Sequence, residues 1–232
     1  MSTLLECKAL TKQFGKKVAI DHINIQLESG RIIGLLGPNG SGKTTLIKMI
    51  NGLLTPTSGS LTVAGNPVGV ESKKIISYLP DHTYLNMNQK VKDIIAYFKD
   101  FYEDFDENRA YDMLAKLNIN PDDRLKTMSK GTKEKVQLIL VMSRRAQLYI
   151  LDEPIAGVDP AARDYILDVI LSNYDPNATI LISTHLIADI EKVLDDVIFI
   201  QNGQIRLAAS VEDIRANEGK SVDMLFREVF KC

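Results

Sequence analysis

The chain has 232 residues, of which 45% are hydrophobic and 25% charged, a composition typical of one large or two small globular domains. Lys and Arg number 28 and Asp and Glu number 30, so the formal charge of −2 argues against binding to nucleic acid or anionic lipid. Neither an apolar run of membrane-spanning length nor a secretion signal occurs. Cys7 and Cys232 lie at opposite ends of the chain and lack metal-type spacing, which predicts free thiols in a reducing compartment. We therefore expect a soluble cytoplasmic protein.

The first elements in chain order are strands. Alternating apolar residues predict two half-buried strands at 4–9 and 23–27, paired antiparallel through the polar segment at 15–17. Short apolar runs at 32–36, 148–151 and 179–183 are typical of parallel strands that are covered on both faces. Because helical patterns separate these runs, the centre of the chain is predicted to be α/β.

The middle of the chain is predicted to be mostly helical. Apolar residues recur at three- and four-residue steps from 91 to 117, and a second helix fits 132–146. The dipeptide Asn202-Gly203 between two apolar runs indicates a β-hairpin. Beyond Ser210 an apolar cluster within 222–230 indicates one or two closing helices. Since no repeat or flexible linker divides the chain, we expect one compact unit.

The residues from Gly37 to Thr44, GPNGSGKT, match the G-x-x-x-x-G-K-[ST] motif between an apolar strand and a helical run. Such a P-loop points its backbone N–H groups at phosphate oxygens, with Lys43 on the β and γ phosphates and the Thr44 hydroxyl on Mg²⁺. An ordinary glycine-rich turn is the alternative. The candidate nucleotide-binding residues of this segment are Gly37, Pro38, Asn39, Gly40, Ser41, Gly42, Lys43, Thr44 and Thr45.

Two further motifs end apolar strands. Asp152 and Glu153 follow the run at 148–151, and because strand side chains alternate, Asp152 can bind Mg²⁺ while Glu153 activates the attacking water. His185 follows the run at 179–183, at the edge where α/β sheets bind ligands, and can contact the γ-phosphate. A solvated acidic turn and a packed or surface histidine are the respective alternatives.

The order of these motifs, with Ser129-Lys130-Gly131 and Ala156-Gly157-Val158-Asp159 between them, resembles the nucleotide-binding subunit of ABC transporters over residues 4–210. It looks especially like the ATPase subunits of bacterial exporters. The resemblance implies a P-loop NTPase core with a mostly parallel sheet, an N-terminal antiparallel β lobe and an inserted α-helical lobe at about 88–146. Residues 1–210 are then the ATP-binding domain and 211–232 a helical tail packed on it.

The resemblance also assigns roles to individual residues. Ser129 and Gly131 match signature residues that contact the γ-phosphate of ATP on the other subunit, and Asp159 matches the aspartate of a loop that faces the dimer partner. Phe14 stands where an aromatic side chain stacks on adenine, with a core position as the alternative. His185 matches the switch histidine of the family.

The sequence departs from the family at two places. Lys130 and Thr132 depart from the LSGGQ signature around Ser129 and Gly131, and Lys133 adds a second lysine beside it. Asp81 stands where the family has a glutamine that reaches Mg²⁺, and it is either a metal-facing residue or a surface turn residue. The aromatic residues between Tyr97 and Phe105 are core or form a partner groove, in which Phe101 or Tyr102 is the exposed member.

The resulting prediction is an ATPase that binds MgATP between two copies of itself, or between itself and a similar subunit, with catalysis by Glu153, His185 and Lys43. Closure of this dimer drives a separate membrane permease, which holds the protein on the inner face of the membrane, and nucleic acid is not a partner. The alternatives are a soluble ABC-type ATPase outside transport, a weakly hydrolysing regulatory cassette, and a P-loop kinase or nucleotide switch.

Overall fold

The structure is a computed structural model that describes residues 3–156, 158 and 160–230, without the side chains of 160–162 and 165. Its strands form two sheets, one of four strands and one of six. The strands are β1 (Thr3–Phe14), β2 (Lys17–Glu28), β3 (Ile32–Leu36), β4 (Ser58–Val63), β5 (Asn66–Pro67), β6 (Ile76–Leu79), β7 (Leu148–Asp152), β8 (Thr179–Thr184), β9 (Asp196–Gln201) and β10 (Gln204–Ser210).

The helices cover the larger sheet and insert a helical lobe between β6 and β7. A short 3₁₀ turn lies at Leu125–Thr127 and a π-helical turn at Ile214–Glu218. The α-helices are α1 (Lys43–Ile50), α2 (Val70–Lys74), α3 (Val91–Phe101), α4 (Glu107–Lys116), α5 (Lys130–Met142), α6 (Pro160–Ser172), α7 (Ile187–Ile190), α8 (Val211–Asp213) and α9 (Val222–Phe230).

The six-stranded sheet has the order β10-β9-β3-β8-β7-β6, and β10 alone in it runs antiparallel to its neighbour. Every residue of β3, β7 and β8 is buried, as the continuous apolar runs predict. Because these three strands are adjacent and parallel, their carboxyl ends meet at one edge. That edge carries the P-loop, the Asp152-Glu153 pair and His185.

The four-stranded sheet, in the order β2-β1-β4-β5, is antiparallel, which confirms the predicted N-terminal β lobe. Its first two strands extend beyond the predicted 4–9 and 23–27. The predicted second hairpin is also present, between β9 and β10. Asn202 and Gly203 have φ values of 51° and 75°, the pair of positive angles that a tight two-residue hairpin turn requires.

The prediction of one helical segment from 91 to 117 is wrong, because α3 and α4 are separate helices. Phe105 leaves the helical path to form an isolated β-bridge with Arg144, and Asp106 then begins α4 by accepting a hydrogen bond from Arg109 N at 3.1 Å. The helix predicted at 132–146 is α5, which begins two residues earlier and ends at Met142. The bridge with Phe105 explains its early end.

Two hydrophobic clusters fill the interior. One lies between the larger sheet and the helices, and the other lies between the two sheets, around α1. The closing helix α9 joins the first cluster, with the Phe226 and Phe230 rings 5.4 and 5.8 Å from the ring of Phe199. None of the helices in the described ranges combines the length and hydropathy that crossing a bilayer requires.

Candidate active site

The P-loop joins β3 to α1 and holds its lysine inward. Lys43 is 6% exposed, and its Nζ donates hydrogen bonds to the carbonyls of Gly37, at 2.6 Å, and Pro38, at 3.3 Å. Burial lowers the pKa of Lys43, while the carboxylates of Glu153 and Asp152 act to raise it. The Lys43 ammonium group therefore interacts electrostatically with Asp152 and Glu153 at the end of β7.

Close packing explains why two positions of the P-loop are occupied by glycine. A Cβ on Gly37 would lie 2.3 Å from the Ile200 carbonyl oxygen. Gly42 has a φ of 118°, a conformation that side chains disfavour, and a Cβ there would lie 2.8 Å from the Ala19 carbonyl oxygen. The turn after β9 supports the loop from the same side, because Gly203 N donates to Ser41 O at 2.8 Å.

Asp152 ends β7 as a buried carboxylate, 1% exposed. Ser183 Oγ, on the neighbouring β8, donates to Asp152 Oδ1, whereas Asp152 Oδ2 is buried without a hydrogen-bond partner among the described residues. Burial raises the pKa of Asp152, the hydroxyls of Ser183 and Thr44 lower it, and the charges of Asp81 and Glu153 raise it. An orphaned oxygen in this position indicates that the carboxylate has a further ligand to bind.

These residues fit Mg²⁺. The ion is usually held by one or two carboxylates together with substrate phosphates, and it keeps several waters. Asp152 Oδ2 supplies an unpartnered carboxylate oxygen beside the Thr44 hydroxyl. Among the described residues no group of three or more His, Cys, Asp and Glu side chains could hold a metal by itself.

Glu153 and His185 meet at the ends of β7 and β8. His185 Nδ1 lies 3.1 and 3.0 Å from the two carboxylate oxygens of Glu153. Glu153 has a φ of 54°, an uncommon angle for a residue with a side chain, and its N–H donates to Ser183 O at 2.9 Å. The left-handed turn directs the chain away from the strand immediately after Asp152. Two of the three side chains that the sequence predicted for catalysis, Glu153 and His185, are thus in contact.

Asp81 follows β6 and is close enough to this edge for its charge to act on Asp152. Its Oδ1 lies 2.6 Å from His82 Nδ1, a contact that the sequence analysis did not predict. Two adjacent polar residues at a turn give no pattern that distinguishes this pair from an ordinary surface turn. The side chains are 46% and 68% exposed, respectively, so they face solvent as well as the site.

The beginning of α5 faces the same region. A cavity of about 450 Å³ is lined by Asp81, Lys130, Glu134, Asp152 and Glu153, among others. Gln137, also on its wall, is 2% exposed and its Oε1 has no hydrogen-bond partner among the described residues. Gln137 was not predicted from the sequence, although a lone amide on the otherwise apolar stretch 136–142 is a signal that could have identified it.

The signature residues lie at the exposed start of α5. Ser129 is the N-cap, and its Oγ accepts a hydrogen bond from Thr132 N at 3.1 Å. Gly131 is exposed, and a Cβ there would meet nothing within 4 Å. Lys130 is 82% exposed, with its Nζ 3.8 Å from Glu134. The first residues of this helix are thus exposed to solvent.

Three candidate residues, Phe14, Thr45 and Asp159, lie apart from the acidic residues and the histidine or outside the described residues. Phe14 ends β1 with 47% of its surface exposed and Lys12 Nζ 5.1 Å from the ring centre, so it is not a core residue. Thr45 is half-buried in the first turn of α1. Asp159 lies outside the described residues. The structure brings together Lys43, Thr44, Asp81, Asp152, Glu153 and His185.

Comparison with known proteins agrees with this geometry. The family model described as "ABC transporter" matches residues 20–156. The ABC-type transporter ATP-binding protein EcsA of Bacillus subtilis is 30% identical, with 99% of this chain and 97% of that protein covered. The Nod factor export ATP-binding protein I of a Rhizobium species is 28% identical, with 86% and 68% covered.

The similarity extends to solved structures. One described as the ATP-binding subunit of an ABC transporter superposes with a TM-score of 0.88 at 28% identity. The match covers 98% of this chain and 100% of that chain. The two folds therefore agree over nearly the whole molecule.

Proposed function

This chain belongs to the family of ABC transporter ATP-binding proteins, and from that premise we propose that it hydrolyses ATP to drive a separate membrane permease. The observation that carries the proposal is the contact between Glu153 and His185 beside the buried Asp152 and the P-loop. These residues would supply a base, a hydrogen-bond donor, a metal ligand and a phosphate cradle at one edge of the sheet.

ATP would be held first by its phosphates. The P-loop N–H groups and the positive end of α1 suit the phosphate oxygens, and Lys43 Nζ can exchange its two carbonyl acceptors for the β and γ phosphates. Asp152 and Thr44 would hold Mg²⁺, with Asp81 as a further acidic group facing its water shell. When bound, the metal neutralises charge on the phosphates. Phe14, exposed at the end of β1, would stack on adenine.

Glu153 would orient the attacking water and accept its proton. His185, which reaches the Glu153 carboxylate in this structure, would donate a hydrogen bond to the γ-phosphate while Lys43 stabilises its developing charge. Because Asp152 would hold the metal and Glu153 the water, the two adjacent acids would have separate tasks. Strand alternation and the positive φ of Glu153 support that separation.

The active site would be completed by a second copy of the chain, or by a similar subunit. Ser129 and Gly131 lie at an exposed helix N-terminus that suits an anion brought from outside the molecule. In the proposed dimer they bind the γ-phosphate of ATP on the partner, and Asp159 faces across the interface. ATP then bridges two surfaces that would otherwise repel when loaded, and hydrolysis separates them.

The proposed direction of transport is export, which the similarity to a Nod factor export protein supports. The permease would hold the chain on the inner face of the membrane. In this proposal residues 1–210 form the ATP-binding domain, the lobe at about 88–146 transmits closure to the permease, and 211–232 is a packed tail.

The test is steady-state ATP hydrolysis across a range of protein concentrations, with Glu153→Gln measured in parallel. We expect a rate per subunit that rises with concentration, no turnover in Glu153→Gln, and dimers of that variant in MgATP by light scattering. Glu212→Gln, an exposed acid remote from the site, is the matched control and retains turnover. A Glu153→Gln protein that stays monomeric in saturating MgATP would contradict ATP-dependent closure.

A further inference from the structure

The cavity of about 450 Å³ beside Asp152 and Glu153 lies between the segment after β6, the end of β7 and helix α5. One of its walls is the face of α5 that carries Gln137 and, one turn further along the helix, Val141. The Val141 carbonyl accepts a hydrogen bond from Ser77 Oγ of β6 at 2.9 Å, which fixes this part of α5 against the sheet. A packed helix therefore sets the position of Gln137 in the cavity wall.

Two buried acceptor oxygens line this cavity without a partner. Gln137 is 2% exposed and Asp152 is 1% exposed. Gln137 Oε1 and Asp152 Oδ2 have no hydrogen-bond partner within the described residues, where the only other buried side-chain atoms in that condition are Ser41 Oγ and Ser143 Oγ. An amide oxygen and an ionised carboxylate oxygen both accept, so neither can satisfy the other. Because buried acceptors without a donor are costly, a bound group has to supply one.

The charged side chains at the rim of the cavity are engaged elsewhere. Lys130 is 82% exposed, with its Nζ 3.8 Å from Glu134 Oε1. His82 is 68% exposed, with its Nδ1 2.6 Å from Asp81 Oδ1. The donor to the two buried oxygens is therefore a small molecule within the cavity. Water fits, since the walls are polar and the volume is many times that of one water molecule.

The charge of the cavity favours a cation near that water. Asp81, Glu134, Asp152 and Glu153 all line it, and Lys130 is the only lysine or arginine in the lining that the structure describes. A water molecule whose oxygen contacts a cation becomes a better hydrogen-bond donor, because the cation polarises its O–H bonds. Mg²⁺ suits such a place, since it gives up its water shell reluctantly and keeps several waters when bound.

We propose that Gln137 is a positioning residue for the hydrated Mg²⁺, and that its Oε1 accepts a hydrogen bond from cavity water connected to the ion at Asp152. The proposal rests on the proposed function and goes beyond it by giving the metal shell an uncharged anchor on α5. An amide suits this position because it adds an acceptor without adding a negative charge to the four carboxylates. Gln137 acts on the ion through water, so it should govern how strongly the metal improves ATP binding, and not ATP binding without metal.

The test uses two replacements of Gln137. Gln137→Met has a side chain of similar length without an amide, whereas Gln137→Glu keeps acceptor oxygens and has no N–H group. Calorimetric titration gives the Kd for ATP with Mg²⁺ and with EDTA, and the ratio of the two is the metal effect. Gln147→Met is the matched control, because Gln147 is exposed just before β7, at the end of that strand opposite Asp152. Leu138→Met, at a buried apolar position of α5, controls for repacking of the helix.

We expect the metal effect to fall about tenfold in Gln137→Met, as losses of groups that support a metal shell do, while the Kd in EDTA changes by less than about twofold. Gln137→Glu should keep the metal effect within about threefold of the wild-type value, because an acceptor remains. Both control variants should keep it as well. Binding of Mn²⁺ to the ATP complex, followed by the EPR signal of the free ion, should weaken in Gln137→Met by the same factor.

Protein without nucleotide or metal gives an independent readout. The Tm of Gln137→Met should equal or exceed that of the wild type, because the replacement removes a buried oxygen that has no partner. A clearly lower Tm would contradict the proposal, since the amide would then be satisfied within the protein.

An unchanged metal effect in Gln137→Met would overturn the proposal and leave Gln137 with a structural water only. So would an equal loss in Gln137→Glu, because the amide would then act through its N–H group, or an equal loss in Leu138→Met, because packing of α5 would then be the cause. A wild type that binds no ATP in either condition would reject the proposed function, and the proposal with it. Binding that Mg²⁺ strengthens equally in wild type and Gln137→Met rejects the role of Gln137 alone.

Discussion

His185 Nδ1 and Glu153 Oε2 lie 3.0 Å apart, although 32 residues of chain separate the two. They meet because β7 and β8 are parallel neighbours, in which Asp152, the last residue of β7, pairs with Ser183, the last but one of β8. His185 is half exposed, whereas the Glu153 side chain is 17% exposed. The histidine is thus the more exposed member of the pair.

Replacing His185 with Gln should lower kcat for ATP hydrolysis by about 100-fold, because a positioned proton donor or acceptor contributes about that much to a reaction rate. KM for ATP should change little, since the P-loop binds the phosphates. His22→Gln is the matched control, as the His22 Nδ1 also lies beside a carboxylate, 2.6 Å from Asp21 Oδ1, but on β2 of the four-stranded sheet. Equal loss in both variants would argue against a catalytic role.

Asp152→Asn should abolish metal-dependent hydrolysis and raise the Tm of the protein measured without nucleotide or metal. The pKa of Asp152 is raised by burial, so the folded protein binds its proton more readily than the unfolded chain does. At pH values above the pKa that Asp152 has in the folded protein, its ionised carboxylate therefore lowers the free energy of unfolding. The stabilisation by Asn should be largest at high pH and shrink as pH falls toward the ordinary aspartate value of 3.8.

Differential scanning fluorimetry at several pH values checks this, with Asp100→Asn, an exposed carboxyl, as the control. A Tm of Asp152→Asn below that of the wild type at high pH would contradict it.

Gly203→Ala should weaken ATP binding about tenfold although Gly203 lies outside the P-loop. A Cβ there would lie 2.6 Å from the Ala19 carbonyl oxygen, and the Gly203 N–H holds Ser41 O. Gly65→Ala is a close control, because Gly65 has the same φ of 75° and open space around it. Gly203→Ala should cost about 1–3 kcal/mol more stability than Gly65→Ala, by overpacking. Urea unfolding and a nucleotide titration measure both effects.

Arg144→Ala should destabilise the protein by about 3–5 kcal/mol, because it leaves Asp104 and two carbonyls without a partner. The Arg144 guanidinium is 4% exposed, binds both oxygens of Asp104 and the carbonyls of Lys74 and Ile76, and stacks on Tyr102. Its neighbour Arg145 is 70% exposed and pairs with Asp106, so Arg145→Ala should cost less than about 1 kcal/mol. Urea unfolding curves compare the two directly.

Ser129→Ala and Ser210→Ala each remove a helix N-cap and should each cost about 1 kcal/mol of stability. If Ser129 also binds the phosphate of a partner's nucleotide, then Ser129→Ala alone should lose ATP-dependent dimerisation in the Glu153→Gln background. Light scattering in MgATP distinguishes the two variants. Loss of dimers in both would indicate a general effect of stability.

Much of this arrangement could be predicted from the sequence. The buried runs that became β3, β7 and β8 are short and apolar throughout, and parallel strands end at a common edge, so the position of Lys43, Asp152 and His185 followed from pattern alone. The break between α3 and α4 did not follow. It depends on the bridge between Phe105 and Arg144, two residues too distant in sequence for local periodicity to relate.

The aromatic stretch of α3 was predicted in part. Phe101 is exposed as expected, but Tyr102 is half-buried, and Tyr97, which is 59% exposed, stacks on Phe101 with ring centres 6.0 Å apart. Helical spacing indicates which residues share a face, whereas the partner of that face is decided by tertiary contacts such as the stacking of Arg144 on Tyr102.

The central position of β3 has a consequence for how the chain folds during synthesis. Its neighbours are β8 and β9, and the hydrogen bond from Gly30 N to Thr179 Oγ1 at the entrance of the sheet joins residues 149 positions apart. The P-loop strand β3 therefore leaves the ribosome long before β8 and β9 are synthesised. Until then this apolar strand has no neighbouring strand with which to pair. Nucleotide binding by nascent chains should begin only after β8 and β9 have been made.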